Sequence, residues 1–300
     1  MAHFTLLRRP LTQLLLVAST FLVVLPAPLA QAAKATLHMR IENADRTATI
    51  YKRDPLKRQR RSVIIVLHGN AGNVGKVHHS LDIDRYVGDS GVTLVYPQAI
   101  RGKWSLTNDT DVEFVHDLTE RLIRNGTAKP NHIFIAGVST GGMLALRLAC
   151  QYPQSYVGAA AVLANLPTAA GATCKPKHSI PLMLVNATND AEVPYKGGPT
   201  KKLDYVGSVL STEETLAPFA AANGCTGPMV ARLGPIGKSK LRASFETYKS
   251  CKVPVQLIKI INGTHVIPGR HIGRRGKLAN GAGSGVMAAH RIFSFSQRLR

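Results

Sequence analysis

The sequence predicts an α/β fold in which helices cover both faces of a mostly parallel central sheet. Short apolar runs alternate with helical stretches along most of the chain. These runs lack the polar alternation of a sheet with one face in water, which indicates strands buried on both faces. The hydrophobic content of 45% is sufficient for a large core. No repeat or low-complexity linker is present, so we expect a single domain over residues 33–300.

The pattern of apolar and polar residues predicts the secondary-structure elements in chain order. The segment 36–52 alternates well enough to form an antiparallel hairpin at the sheet edge. The interval 200–250 is the least regular part of the chain, and we expect it to cap the functional edge of the sheet. The predicted central strands are 63–67, 93–96, 132–136, 182–185 and 255–261.

Residues 1–32 have the layout of a secretory signal. Arg8 and Arg9 form a basic start, an apolar stretch covers 14–25, and Ala30 and Ala32 occupy the two positions that a signal peptidase recognises. We expect cleavage after Ala32 and a secreted or periplasmic location. An uncleaved membrane anchor is the alternative, but the apolar stretch is short for a span of about 20 residues. No later segment is predicted to cross a membrane.

The chain is strongly basic, with a formal net charge of +21. Its basic runs fall at 57–61, 238–242 and 270–277. The runs lack interleaved aromatic residues on which bases stack, so no specific nucleic-acid partner is predicted. We expect solvated loops that attract anionic surfaces without specificity.

The cysteines predict disulfides rather than a metal site. They are not grouped in the close pairs that a structural zinc site needs. In an oxidising compartment four cysteines allow three pairings, and we favour the one that is local in sequence. Four buried free thiols are the alternative. The favoured bonds join Cys150 to Cys174 and Cys225 to Cys251.

The clearest chemical signal is a serine in the segment 136–142, AGVSTGG. It follows the predicted strand 132–136 directly and precedes a strong helix former at 143–149. A serine at such a turn is held in strained backbone geometry, and the flanking glycines remove side chains that would collide with strand or helix. The arrangement predicts Ser139 as a nucleophile.

A serine hydroxyl needs a base to take its proton and an acid to hold that base in the useful tautomer. In the chain order serine, acid, histidine, the acid follows the next central strand, where Asp190 lies and Glu192 is the alternative. His265 follows the last predicted strand and is the expected base. His271 lies in a basic run and His290 in a predicted terminal helix, which favours surface or packing roles for both.

A tetrahedral intermediate also needs preorganised N–H donors for its oxyanion. The amide of Thr140, directly after the serine, is one expected donor. The other is expected from the loop 68–73, HGNAGN, with Asn70 or Ala71 as donor. A phosphate cradle is the alternative for this loop, but the Lys-Ser/Thr ending of a nucleotide P-loop is missing.

Several segments, taken in order, carry a resemblance to a known family. They are VLHG at 66–69, DVEF at 111–114, GVSTGGM at 137–143, RLAC at 147–150, DAEVPY at 190–195, GG at 197–198, NGC at 223–225, GTH at 263–265 and PG at 268–269. In these, the chain resembles the polyhydroxybutyrate depolymerase and feruloyl esterase group of α/β-hydrolases in its compact secreted form. The resemblance implies the α/β-hydrolase fold with the same triad and oxyanion residues, and it supports the local cysteine pairs.

Departures from the family concern the substrate. Asn186 and Ala187 stand where the family commonly has His-Gly, Thr264 replaces a glycine, and Ile267 replaces a tryptophan. Without that aromatic ring, an aromatic acyl group is less easily held. The separate substrate-binding domain of dedicated polyester depolymerases is not seen either. Three residues remain as candidates to line the substrate cleft: His68, Trp104 and Tyr195.

The expected reaction is a two-step acyl transfer without a cofactor, in which Ser139 attacks an ester and His265 shuttles the proton. The resemblance implies carboxylic esters, with 3-hydroxybutyrate oligomers or polyester first and feruloyl or acetyl esters of polysaccharides as the alternative. A serine peptidase and a non-catalytic cationic binding protein are further alternatives. The ordered triad argues against the binding protein, and chain length and family resemblance argue against the peptidase.

Overall fold

The computed structural model describes residues 1, 33–41, 44–52, 61–88, 90–234, 242–269, 271–272, 277–278 and 286–299. Every element named below belongs to one unit, Gln31–Arg300. The predicted signal falls almost wholly on residues outside the described ranges, as do most positions of the three basic runs. Those expectations therefore remain predictions.

A large sheet forms the centre of this unit, in the order β1-β2-β4-β3-β5-β6-β7-β12-β11-β10. The neighbours from β4 to β12 along that order pair in parallel, and the pairs at both edges are antiparallel. Two short hairpins, β8–β9 and β13–β14, lie apart from it. The strands are β1 (Ala33–Ile41), β2 (Ala44–Lys52), β3 (Ser62–Leu67), β4 (Val92–Gln98), β5 (Ile133–Val138), β6 (Gly158–Val162), β7 (Leu182–Ala187), β8 (Gly198–Pro199), β9 (Ser208–Val209), β10 (Met229–Leu233), β11 (Arg242–Tyr248), β12 (Val255–Ile261), β13 (His271–Ile272) and β14 (Lys277–Leu278).

Helices cover both faces of the sheet, which confirms the predicted fold class. One hydrophobic cluster packs α3, α4 and α6 on one face, and a second packs α1, α2 and α7 on the other. A helix with the length and apolarity to cross a membrane is absent from the described residues. The helices are α1 (Val74–Leu81), α2 (Asp84–Val87), α3 (Thr110–Arg124), α4 (Thr140–Gln151), α5 (Thr168–Thr173), α6 (Thr212–Ala222) and α7 (Ala288–Gln297).

The five predicted central strands are confirmed as β3, β4, β5, β7 and β12, and the predicted edge hairpin is β1–β2. The sequence pattern missed β6, because its alanine-rich core, GAAAV, has little strand preference of its own. The expectation that 200–250 forms one cap is wrong for its second half. There β10 and β11 extend the sheet as antiparallel edge strands.

Both predicted disulfides are present, so the free-thiol alternative is wrong. Cys150 in α4 bonds Cys174 after α5, and Cys225 after α6 bonds Cys251 before β12. The bonds join residues 24 and 26 positions apart in sequence. Closing loops of this length stabilises the folded chain by roughly 3 kcal/mol per bond, mainly by restricting the unfolded state.

Candidate active site

Ser139 lies at a sharp turn between β5 and α4, at the carboxyl end of the parallel strands. Its backbone is held at φ 54° and ψ −124°, a conformation that non-glycine residues rarely adopt. A Cβ on Gly137 would lie 2.1 Å from the carbonyl oxygen of Gly141, and a Cβ on Gly141 would lie 2.3 Å from that of His68. Both flanking glycines are therefore required for strand and helix to meet at this angle.

The structure brings Ser139, His265 and Asp190 together from three separate loops. His265 Nε2 lies 3.0 Å from Ser139 Oγ, and His265 Nδ1 lies 2.6 Å from Asp190 Oδ2. Because a carboxylate only accepts hydrogen bonds, Nδ1 carries the ring proton and Nε2 is left to accept from the serine hydroxyl. This geometry suits abstraction of the hydroxyl proton.

The buried carboxylate of Asp190 is itself held by the backbone. Its Oδ1 accepts hydrogen bonds from the amides of Glu192 and Val193, each at 2.9 Å. These two donors leave Oδ2 aimed at His265. The side chain therefore has one orientation, which fixes the tautomer and the tilt of the imidazole ring.

Glu192, the alternative acid, lies on the other side of the ring. Its Oε2 is 3.9 Å from His265 Nε2, and its Oε1 pairs with Lys202 Nζ at 2.8 Å. It cannot orient Nδ1 from there, so the geometry favours Asp190. His290 lies in α7 as an exposed surface residue, with its ring tilted against that of Tyr86 in α2 at a centroid distance of 5.2 Å. The side chain of His271 lies outside the described part of the chain.

The loop 68–73 passes directly beside the serine, and a Cβ on Gly69 would lie 3.4 Å from Ser139 Cβ. The carbonyl oxygen of Gly69 accepts from the amide of Gly72 at 3.1 Å and contacts His68 Nδ1 at 2.8 Å. A trans peptide is planar, so holding this oxygen also fixes the opposite direction of the Asn70 N–H. Within the described residues, the amides of Asn70 and Ala71 donate to no protein acceptor.

His68 holds the loop through both ring nitrogens. The amide of Ala99 donates to His68 Nε2 at 3.1 Å, so Nδ1 must carry the proton and donate to Gly69. Burial lowers the pKa of His68 below its ordinary value, which keeps the ring neutral. The residue borders the cleft as predicted, but both ring nitrogens are bonded to backbone groups, of Gly69 and Ala99.

Trp104 and Tyr195 do not line the cleft, which corrects the sequence-based expectation. Trp104 is 1% exposed, and its indole N–H donates to the carbonyl oxygen of His68 at 2.7 Å. The ring therefore packs beneath the loop, because its one polar group finds a partner there. The hydroxyl of Tyr195 donates to Glu213 at 2.7 Å, which holds the phenol against α6.

A buried ion pair stabilises the segment that carries Trp104. Asp111 in α3 pairs with Arg46 in β2, and both side chains are almost fully buried. The second oxygen of Asp111 accepts from the amide of Ser105 at 2.6 Å, next to Trp104. The pair thus links the sheet edge to the segment that carries the indole.

Tyr205 is a residue of this site that the sequence pattern did not indicate. Its hydroxyl donates to Asn70 Oδ1 at 3.3 Å, although the two residues are 135 positions apart. Burial raises the pKa of Tyr205. The phenol therefore contacts the loop beside the serine, and no local motif could have revealed it.

Ser139 opens into a broad cleft of about 550 Å³. One part of its wall is apolar, and another carries Lys76, Glu192 and Lys202. Among the described lining residues there is no phenylalanine, tyrosine or tryptophan. The apolar part is formed by Val77, Val138, Leu163, Leu203, Val266 and Ile267.

Residues 105–217 match a family model described as Phospholipase/Carboxylesterase. NocK of Nocardia uniformis subsp. tsuyamanensis, named as an esterase, is 29% identical over 180 residues, 55% of this chain and 52% of its own. Feruloyl esterase B of Piromyces equi is 28% identical over 168 residues, 53% of this chain and 29% of its own. The chain thus spans about half, or less, of the length of these curated relatives.

The solved structure of an acetyl xylan esterase from Aspergillus awamori superposes with a TM-score of 0.57 at 13% identity. The match covers 78% of this chain and 95% of that one. Together with the family match, this likeness shows the α/β-hydrolase fold that the sequence resemblance implied.

Proposed function

We propose that this protein is a serine esterase that hydrolyses carboxylic esters through an acyl-enzyme intermediate. The observation that carries the proposal is the hydrogen-bonded series from Asp190 through His265 to Ser139, with Ser139 at a strained turn beside the backbone N–H groups of the loop 68–73. The match to a carboxylesterase model and the names of the curated relatives support it.

In the acylation step, Ser139 Oγ attacks the ester carbonyl carbon while His265 Nε2 takes its proton. Asp190 stabilises the imidazolium that forms. The amides of Thr140 and Asn70 are the proposed donors to the oxyanion, with Ala71 as the alternative to Asn70, because the Asn70 N–H has the more firmly held peptide plane. His265 then passes the proton to the alcohol oxygen as that group leaves.

Deacylation repeats the sequence with water as the nucleophile. The imidazole of His265 takes a proton from water, which attacks the acyl carbon, and the carboxylic acid leaves as Ser139 regains its proton. Residues already in the site carry every proton transfer. The reaction as proposed therefore uses no cofactor.

The cleft favours esters of small aliphatic acids. Its apolar wall offers no ring from phenylalanine, tyrosine or tryptophan among the described residues, so an aromatic acyl group would find no stacking partner there. The sequence resemblance supports 3-hydroxybutyrate oligomers or polyester as substrates. Acetyl or feruloyl esters of polysaccharides are the second candidate, which the name of the Piromyces equi relative favours.

We further propose that residues 1–32 are a cleaved signal and that residues 33–300 are one exported catalytic domain. The two disulfides support this, because such bonds persist in oxidising compartments outside the cytoplasm. The basic runs at 57–61, 238–242 and 270–277 would add a non-specific attraction to anionic surfaces. Amino-terminal sequencing of the exported protein tests the cleavage after Ala32.

The decisive test compares the mature protein with its Ser139→Ala variant on p-nitrophenyl acetate and butyrate, methyl ferulate and 3-hydroxybutyrate oligomers. Release that depends on Ser139 is expected, with the short aliphatic esters hydrolysed fastest. Equal background rates from two folded, oxidised proteins would contradict the esterase proposal and favour the cationic binding protein.

A further inference from the structure

Glu192 has a position that the triad chemistry leaves unexplained. It lines the cleft, and its Oε2 lies 3.9 Å from His265 Nε2, the nitrogen that also faces Ser139. The side chain is 30% exposed. The carboxylate thus lies beside the reacting atoms without taking part in the triad.

Lys202 pairs with one oxygen of this carboxylate, and two backbone hydrogen bonds hold the residue that carries it. Lys202 Nζ donates to Oε1 at 2.8 Å, the backbone amide of Glu192 donates to Asp190 Oδ1, and the carbonyl oxygen of Glu192 accepts from Lys201 at 3.0 Å. Lys202 occupies Oε1, so Oε2 keeps its capacity to accept hydrogen bonds from the cleft.

The mechanism of the triad indicates which part of the substrate lies next to Glu192. When the tetrahedral intermediate collapses, His265 Nε2–H gives its proton to the alcohol oxygen, and the bonding pair of the breaking C–O bond stays on that oxygen. The alcohol oxygen must therefore sit within hydrogen-bond distance of Nε2. Atoms attached one or two bonds further along the alcohol come next to Glu192.

We propose that Glu192 binds the alcohol half of the substrate by accepting a hydrogen bond from a hydroxyl neighbouring the ester oxygen, so that the site prefers esters of polyols and sugars. This inference rests on the proposed esterase function and favours the sugar esters, the second substrate candidate, over 3-hydroxybutyrate oligomers, whose alcohol half has no such hydroxyl. A hydrogen bond to a charged acceptor is stronger than one between neutral groups, which makes a held carboxylate an effective selector for a hydroxyl donor. Lys202, itself largely exposed, pairs with Oε1 and leaves Oε2 to face the cleft.

The test uses two esters with the same acyl group and alcohols of similar size, glycerol 1-monoacetate and n-propyl acetate. The quantity measured is the ratio of their kcat/KM values. Glu192→Met removes the acceptor at similar volume, and Glu192→Gln keeps an acceptor oxygen without charge. Glu113→Gln, on the exposed face of α3, is the matched control.

We expect the wild type to favour the glycerol ester and Glu192→Met to lower the ratio by about tenfold or more, the loss typical of a hydrogen bond to a charged group. Glu192→Gln should fall between the two, and Glu113→Gln should keep the wild-type ratio. Labelling of Ser139 by a fluorophosphonate shows that each variant is folded and competent.

An unchanged ratio in Glu192→Met would overturn the inference while leaving the esterase proposal intact. If both kcat/KM values fall equally, the carboxylate acts on His265 alone, and if neither falls, it has no part in the reaction. Failure of the wild type to hydrolyse either ester in a Ser139-dependent way would instead refute the esterase proposal itself.

Discussion

Replacing Asp190 with asparagine tests the proposed mechanism at the point where the structure makes the sharpest prediction. The Asp190→Asn side chain would keep one carbonyl oxygen for the amides of Glu192 and Val193, which now donate to Oδ1. Turning the side chain over would place its NH₂ group against those two N–H donors. The amide NH₂ is therefore forced towards His265 Nδ1.

A donor at that position reverses the tautomer of the imidazole. Nδ1 must then accept, Nε2 carries the proton, and the hydroxyl of Ser139 loses its base. In serine hydrolases this change costs about 10⁴ in kcat, which corresponds to roughly 5.5 kcal/mol in the barrier. The fold should lose only about 1 kcal/mol, because the two backbone hydrogen bonds remain.

The assay is steady-state hydrolysis of p-nitrophenyl acetate between pH 6 and 9, with thermal unfolding of the same samples. Ser139→Ala sets the background rate, and Asp117→Asn, an exposed carboxylate of α3, is the matched control. A fall in kcat of less than about tenfold for Asp190→Asn would refute the assigned role, since a wrong tautomer cannot cost so little. The acid role would then have to move to another carboxylate.

Three further predictions concern the supports of the site. Tyr205→Phe should lower kcat about tenfold with little change in KM, because the loop of Asn70 loses its tether; steady-state kinetics that show only a KM effect would contradict this. Arg46→Met should lower the free energy of unfolding by about 3–5 kcal/mol, because Asp111 is left buried and unpaired; urea unfolding measures it, and a loss below about 1 kcal/mol would argue against the pair. Burial depresses the folded-state pKa of His68, so its stabilising effect is full above the unfolded pKa of about 6.5 and declines as pH falls. The melting temperature should therefore drop more between pH 7.5 and 5 for the wild type than for His68→Gln, and equal drops would exclude a buried neutral imidazole.

Much of the site was visible in the sequence because its signals are local. The serine, its flanking glycines and the adjoining strand and helix are neighbours in the chain, and turn chemistry of this kind depends only on neighbouring residues. Asp190 and His265 follow because the carboxyl ends of parallel strands meet at one edge of the sheet. The cysteine pairs also join nearby residues.

The errors fell where a side chain's surroundings come from distant segments. Trp104 was expected to line the cleft as the one tryptophan of the sequence. Instead, its indole N–H donates to the carbonyl oxygen of His68, and its ring packs in the core beneath the loop. The strand β6 was missed because alanine has weak strand preference, and its neighbours β5 and β7 decide its conformation.

The sequence by itself determined the layered fold, the central strands other than β6 and the identities and order of the proposed triad, since hydrophobic periodicity and turn chemistry depend on consecutive residues. Only the tertiary structure decided which side chains face one another across loops: Tyr205 on Asn70, and Glu192 beside Nε2 rather than Nδ1 of His265. The physical reason is that such contacts depend on the relative positions of separate strands and loops, and no local pattern specifies the distance between residues that lie so far apart in the chain.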